Sequence, residues 1–507
     1  MNSLYKIKIA YFLDIIQGLG GAGNLLLQQA VLMSELYEVL VVIPSDSQGN
    51  INQEYANRCK KHGLPYCSLE YSTAFNFCNI DFCGAMESVK VIEELIKTEK
   101  ITFLHSVQLN IAVEYVARKL RIPHLMDIYQ LREEEFKCCP GDIYPHYHLC
   151  DSRMYMERWS RQLGIESRCV RPVALLNQMR KKDTYPKKVI RILMLGSVCE
   201  RKNQLMAIKA CELCMQEYDL ALTIAGDNNG NYANICIQYV KEHKLEEKII
   251  FKGFVSDIVP LLEDSDCLLC TSTDESFPSS MVEALTYDLT IISTPVAGVP
   301  EVFTNVDNAF VSKDFTISSI RESLEECIRS YQSGDICEIH RRAKETWINY
   351  FARKKVREQI DSYYKEISKL PYTAEGDFSN IMSEVRQTIR MLSDVYDDCE
   401  GMQPRALYHT TLRDELKLGK MYLWGAGKMG AYAYKILSVL CPDLDILAFV
   451  DRNKDGEYYG LPIIKPEELP IDKTLFYGIA FCCGREDAMC YLEERGLELN
   501  EQIWVIP

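Results

Sequence analysis

The chain has 507 residues, 47% hydrophobic and 25% charged, with a formal net charge of −15. That length suits roughly two to four domains with sizeable cores, the composition is that of a soluble globular protein, and the acidic excess argues against a nucleic-acid binder. No apolar run reaches the roughly 18–20 residues that cross a bilayer, although a local basic patch leaves peripheral membrane contact open.

Residues 6–12 alternate apolar side chains around Lys6 and Lys8, which reads as a first strand and not a signal peptide, so a cytoplasmic protein is expected. The 21 cysteines are scattered through apolar segments and read as reduced packing thiols. Two C-x-x-C spacings occur, Cys211/Cys214 on an expected helix and Cys267/Cys270 in an expected strand. Zinc ribbons put such pairs on turns, so no metal site is expected.

After the first strand come an expected helix at 24–36, a strand at 37–44, and further strands at 101–106 and 124–128 with helices between. Alternation of this kind predicts a parallel sheet covered on both faces. The glycine-rich run 18–23 falls between the first strand and helix, where it serves a ligand or simply a tight turn. Residues 175–188 are polar, basic and hold Pro186, and read either as an interdomain linker or as a surface loop.

A second alternating series starts at Val189, with expected strands at 190–195, 220–225, 249–251, 267–271 and 290–293. Residues 339–370 form a strongly helical run that Pro371 ends, and 378–393 is a further amphipathic helix that packs on its own chain or on a partner. The basic stretch 341–357 is either a solvated helix face or a contact with an anionic membrane.

The third unit opens as strand–glycine loop–helix–strand. Gly425, Gly427 and Gly430 follow the strand at 421–424, and Asp451 closes the strand at 446–450, about 20 positions on. This is the setting of a dinucleotide-type loop with an acidic ribose ligand, or of a loop kept for tight packing. An oxidoreductase reading rests on this loop alone, with no substrate base beside it. The same segment resembles small Rossmann-like domains found beside sugar acyltransferases and some methyltransferases, which bind a nucleotide or dock partners.

The stretch 274–301 carries the most chemistry. Glu275 follows the strand at 267–271, and Glu283, eight positions on, lies in the first turns of a helix. Carboxylates and helix N–H groups then gather at the carboxyl edge of a parallel sheet, where open α/β sheets bind ligands. On spacing alone, two solvent-facing helix-cap glutamates are the commoner reading.

The flanking residues resemble the donor signature of retaining family-4 glycosyltransferases (glycosyl transferases group 1). The elements are Ser272, Glu275 and Phe277, then Glu283-Ala284, then Thr294, Pro295, Gly298 and Glu301. Upstream, Gly196, Arg201 and Lys202 resemble that family's strand, glycine loop and lysine. LTIAGD at 222–227 resembles the next strand, and Phe251, Gly253 and Phe254 the one after. The ordered match is strong over about 190–312 and looser in the first lobe.

The resemblance implies an α/β fold of two facing Rossmann-like lobes (GT-B), with a helical linker and a third small Rossmann-like domain. The implied units are 1–178 on the acceptor side, 186–338 on the donor side, 339–418 as helical crossover and linker, and 419–507. It implies a hexosyltransferase-type enzyme that needs no cofactor or metal and moves sugar, with retention, from a UDP- or GDP-sugar to a saccharide or lipid-linked acceptor in glycan biosynthesis. Lys202 and Glu275 would be catalytic. Gly21, Gly196, Ser197, Arg201, Phe254, Phe277, Ser279, Ser280 and Glu283 would join Lys202 around the donor, with Glu283 on the ribose. The helix at 346–368 resembles the family's terminal helix that returns to the first lobe. Peripheral contact with the inner membrane face, and partner proteins on the 339–418 helices or the third domain, stay open.

Three departures stand out: Ser197 where the family often has arginine, Tyr129 where it often has histidine, and Pro278 where it has glycine. They motivate an alternative, a nucleotide-sugar-binding scaffold without transfer activity. His105 and His124, on expected strands, read as structural or functional alike. Asp288 replaces a family glycine and tolerates a left-handed turn better than most residues.

Overall fold

Runs such as EVLVVIPS and FLHSV have no polar face to offer solvent, and they become strands buried on both sides. The computed structural model describes residues 7–14, 21–46, 48–71, 82–108, 110–129, 147–163, 166–176, 187–369, 419–480, 485–498 and 502–505. The expected helix at 378–393, the loop glycines before Gly21, residues 130–136 and most of the basic segment after Leu176 lie outside these.

The first lobe runs β1 (Lys8–Phe12), α1 (Gly21–Met33), β2 (Glu38–Ser45), α2 (Gln53–His62), β3 (Tyr66–Glu70), α3 (Phe82–Glu99), β4 (Phe103–Val107), α4 (Ile111–Leu120), β5 (His124–Asp127), β6 (Tyr147–Cys150), α5 (Arg153–Leu163) and β7 (Glu166–Cys169). Its strands form one sheet in the order β3-β2-β1-β4-β5-β6-β7, with parallel pairs throughout. The chain reverses its direction of sheet growth between β1 and β4, the kind of switch point at which α/β sheets hold ligands.

The second lobe runs β8 (Val189–Leu195), α6 (Gln204–Cys214), β9 (Asp219–Ala225), α7 (Asn231–Glu242), β10 (Ile249–Gly253), α8 (Val259–Asp264), β11 (Cys267–Cys270), α9 (Ser279–Leu285), β12 (Thr290–Ser293), β13 (Phe310–Val311) and α10 (Ile317–Ser333). The parallel sheet order is β10-β9-β8-β11-β12-β13, with its switch point between β8 and β11. Asp288, ahead of β12, has φ 55°, the left-handed turn expected where the family carries glycine. The C-x-x-C sulfurs pack as core: Cys211, Cys214 and Cys267 are fully buried, and the Cys267 sulfur lies 3.6 Å from that of Cys327.

The run 339–370 is helical almost throughout, as expected, but the single helix expected at 346–368 is corrected. The chain forms α11 (Ile336–Tyr350) and α12 (Arg353–Ile367), parted at Phe351 and Ala352. Phe351 is fully buried, and its ring packs on Phe277 and Phe303 with centroids 5.4 and 6.4 Å apart. The break lets the two helices serve different lobes. Ile336 and Ile339 of α11 join the core of the second lobe. Val356, Ile360, Tyr363, Tyr364 and Ile367 of α12 sit in the core of the first. Three of the arginines of this stretch are engaged: Arg341 pairs with Glu338 and Glu345, Arg342 with Asp307 and Glu338, and Arg357 with Glu35.

The third unit runs β14 (Lys420–Trp424), α13 (Lys428–Leu440), β15 (Asp445–Val450), β16 (Glu457–Tyr458), β17 (Leu461–Ile464), β18 (Phe476–Ile479), α14 (Arg485–Glu493) and β19 (Ile503–Val505). Its order is β16-β17-β15-β14-β18-β19, parallel except for the β16–β17 pair. Tyr432 and Ile436 of α13 cover one face of the sheet, and Ala488 and Leu492 of α14 the other.

Candidate functional site

The carboxyl edges of the first two sheets face a shared cleft of about 1070 Å³. Gly196, Ser197, Arg201, Lys202, Phe254, Glu275, Phe277, Ser279, Ser280 and Glu283 all line it from the second lobe, and Gly21 lines it from the first. The sequence-predicted donor residues, spread over more than 80 positions of the second lobe, are thereby brought to one wall. The folding reason is local: β8 and β11 flank the switch point, and the loops leaving their carboxyl ends carry Gly196 through Lys202 and Ser272 through Ser279.

Glu275 is the electrostatic centre of that wall. It is 9% exposed, and its Oε1 lies 2.5 Å from both Arg201 Nη1 and Lys202 Nζ. Arg201 also donates to the Asp274 carbonyl at 3.0 Å. Both cations expected to meet a diphosphate are thus poised on the carboxylate expected to meet the sugar. Glu283, half-buried on α9, has its carboxyl pushed up to about 7 by burial, opposed by the Arg58 charge from the first lobe. Pro278 is the residue preceding α9, and Ser279 and Ser280 open the helix. Phe277 is 3% exposed; its ring is held among Phe303, Phe351 and the Arg171 guanidinium, so it contributes mainly packing to the wall. Phe254 is 55% exposed and presents an aromatic surface to the cleft.

The first lobe contributes residues that sequence reasoning missed. Gln28, Arg58, Gln108 and Asp151 all line the cleft. Asp151 follows β6 and is 2% exposed; burial pushes its carboxyl up to about 7, against a hydrogen bond from Ser276 and the charge of Arg171. Its one sequence signal was an acidic residue directly after an apolar run, too common to single out. Tyr129 also faces the cleft, and its hydroxyl donates to Asp127 at 2.8 Å.

Neither of the two histidines singled out from sequence lines the cleft. His105 bridges Asp127 (Nε2, 2.8 Å) and the Tyr364 hydroxyl (Nδ1, 2.5 Å). His124 bridges Glu114 and Ser106 at 2.6 and 2.8 Å. Both are fully buried and structural. In the third unit, Asp451 accepts the backbone N–H groups of Ala426, Asn453 and Lys454 at 2.9, 2.9 and 3.1 Å, and these bonds hold its carboxyl below the usual range against the effect of burial. Its Oδ2 is engaged with the glycine loop and its Oδ1 with the turn that follows β15. A Cβ on Gly430 would sit 1.8 Å from the Gly425 carbonyl oxygen, so this glycine answers to close packing.

Residues 177–345 match the family model described as Glycosyl transferases group 1. The chain is 24% identical over 231 residues to the N-acetyl-alpha-D-glucosaminyl L-malate synthase of Bacillus anthracis, covering 45% of this chain and 54% of that protein. It is 27% identical over 186 residues to a subunit of the human (Homo sapiens) phosphatidylinositol N-acetylglucosaminyltransferase, covering 35% of this chain and 37% of that protein. The chain thus spans about half or less of the length of these curated relatives. Among solved structures, that of Anabaena HepE in complex with UDP and glucose superposes with a TM-score of 0.59 at 15% identity, covering 71% of this chain and 100% of that one. A glycosyltransferase from Rickettsia africae gives 0.57 at 16%, covering 72% and 99%. At such identities the likeness is one of fold. Residues 177–345 are a Glycosyl transferases group 1 domain, and the two lobes around the cleft have the GT-B-type fold.

Proposed function

We propose that the protein is a retaining glycosyltransferase that moves a sugar from a nucleoside-diphosphate sugar to a saccharide or lipid-linked acceptor. The observation that carries this reading is the convergence of Arg201, Lys202, Glu275 and Glu283 on one wall of an interlobe cleft. Lys202, with Arg201, neutralises the charge that grows on the departing diphosphate, an interaction that strengthens toward the transition state. Glu283 accepts hydrogen bonds from ribose hydroxyls. Glu275 receives sugar hydroxyls and orients the anomeric carbon. The acceptor oxygen bonds to that carbon as its bond to the phosphate oxygen breaks on the same face, and the leaving diphosphate takes the acceptor's proton.

A uridine or guanosine diphosphate donor fits the reading; the HepE structure holds UDP. The first lobe serves the acceptor and the second the donor, and the buried thiols suit a reducing, cytoplasmic setting. The third unit is proposed as a docking or nucleotide-binding module.

Calorimetric titration of UDP-, GDP- and ADP-sugars into wild type and Glu283→Ala tests this. One nucleotide bound selectively by wild type and lost in the variant is the expected result. No binding by wild type would overturn it and favour a scaffold role.

A further inference from the structure

The segment that carries Glu275 is irregular. Residues 271–278 lie between β11 and α9 in neither helix nor strand, so no ladder of backbone bonds fixes where the carboxylate points. Within the second lobe, Thr273 N–H donates to the Arg201 carbonyl at 2.9 Å and Gly298 N–H to the Ser276 carbonyl at 3.0 Å. Arg201 Nη1 donates in turn to the Asp274 carbonyl at 3.0 Å.

The side chains on either side of Glu275 bond to the first lobe. Tyr155 Oη of α5 donates to Asp274 Oδ1 at 3.3 Å. Ser276 Oγ donates to Asp151 Oδ1 and lies 3.1 Å from Ser152 Oγ. Asp151, Ser152, Tyr155 and Ser276 are all buried. Asp151 is itself anchored, because its carbonyl accepts from Arg171 Nη1 at 2.7 Å. Asp274 and Ser276 are thus both fastened to one short stretch of the first lobe, 151–155, and Glu275 is the residue between them.

Glu275 needs such support because of what its carboxylate rests on. Arg201 and Lys202 lie 2.5 Å from it, and these are the cations that a donor diphosphate would claim. Arg201 holds the Asp274 carbonyl as well. A diphosphate that draws both cations away therefore loosens Glu275 from its own lobe just as it has to meet the sugar. The first-lobe contacts at Asp274 and Ser276 involve neither cation and survive that exchange. A group that acts on a ligand is effective when the residues behind it are locked by their own packing and hydrogen bonds.

We infer that Asp151 and Tyr155 are positioning residues: acting through Ser276 and Asp274, they aim the Glu275 carboxylate from the opposite lobe, so the donor's sugar is gripped when the lobes are docked. This rests on the transferase reading above, in which Glu275 receives sugar hydroxyls, and adds the residues that aim it.

Calorimetric titration of the full chain with UDP and UDP-glucose, and with GDP and GDP-mannose, tests it. The quantity read is the affinity for the nucleotide sugar divided by that for its free diphosphate. For the pair that wild type binds, Ser276→Ala and Asp151→Ala should each lower this ratio about three- to ten-fold, with free diphosphate bound no more weakly than by wild type. Tyr155→Phe, which removes the longer contact, should lower it less. Asp151→Asn still accepts from Ser276 and should keep the ratio within about two-fold of wild type. Coupling to Glu275 separates positioning from a merely structural role: once Glu275→Ala has lowered the ratio, adding Ser276→Ala should lower it no further. A ratio unchanged in Ser276→Ala and Asp151→Ala overturns the inference, and so does an equal further loss in the Glu275→Ala background. Should Asp151→Ala fail to fold, Ser276→Ala and Tyr155→Phe decide the matter alone. A wild type that binds no nucleotide sugar overturns the transferase reading itself; a wild type that binds one while the ratio ignores the variants overturns this inference alone.

Discussion

The Glu301 carboxylate of the second lobe meets the Arg171 guanidinium at the end of the first lobe at 2.5 Å, and its oxygens also accept the N–H groups of Arg153 and Met154 at 2.9 Å each. One side chain thus binds a guanidinium and caps the first turn of α5 across the lobe boundary. Arg171 is 6% exposed, so Glu301→Ala would leave a buried cation without its partner. The expected cost is about 3 kcal/mol. Urea unfolding measures it; a loss below about 0.5 kcal/mol would mean that the pair contributes nothing to lobe docking.

Gly298 lies three residues before Glu301 at the same seam. A Cβ there would fall 2.8 Å from Ser152 Cβ and 2.9 Å from both Phe277 Cδ2 and the Ser276 carbonyl oxygen. Gly298→Ala should therefore destabilise by roughly 1–3 kcal/mol through overpacking. Gly21→Ala, where a Cβ meets nothing within 4 Å, is the matched control and should leave the melting temperature unchanged. Equal effects at the two sites would refute the steric argument.

Because Glu275 sits 2.5 Å from both Arg201 and Lys202, it competes with an incoming diphosphate for their charge. Glu275→Gln should then bind free nucleoside diphosphate roughly two- to five-fold tighter, while sugar transfer falls on the order of 100-fold. Calorimetry and a transfer assay read the two separately. If diphosphate affinity falls together with activity, Glu275 supports the nucleotide and does not compete with it.

Burial raises the Asp151 carboxyl from 3.8 to about 7 in the folded protein. The folded state therefore favours the protonated form. The resulting penalty is absent below pH about 4, grows between about 4 and 7, and is complete above 7. Asp151→Asn, which can still accept from Ser276, should stabilise the protein at pH 8 by on the order of 1–4 kcal/mol and have little effect at pH 4. Unfolding curves across that range check it, and a difference independent of pH would contradict the assignment.

The sequence alone determined the features that depend on local pattern. Apolar runs of strand length alternating with helical periodicity specify buried parallel strands, and they marked β8 to β12 to within about two residues. The Asp288 turn was likewise legible, because backbone conformation is a property of a few adjacent residues, whereas the loop at Gly430 left nucleotide binding and close packing both open. Most of the residues expected around a donor gather on one wall because their loops leave strands of a single sheet. Tertiary structure alone decided what lies between the lobes. β6 and β7 are four residues each, with polar positions, and carry too short a pattern to stand out. The break at Phe351 is made by aromatic packing against Phe277 and Phe303, residues distant in sequence. Arg171 and Glu301 are 130 positions apart. Gln28 and Gln108 look like ordinary surface amides until the fold buries their oxygens beside one cleft. A periodic pattern tells a residue which face of its own element to occupy; what stands opposite that face is settled by how the sheets pack.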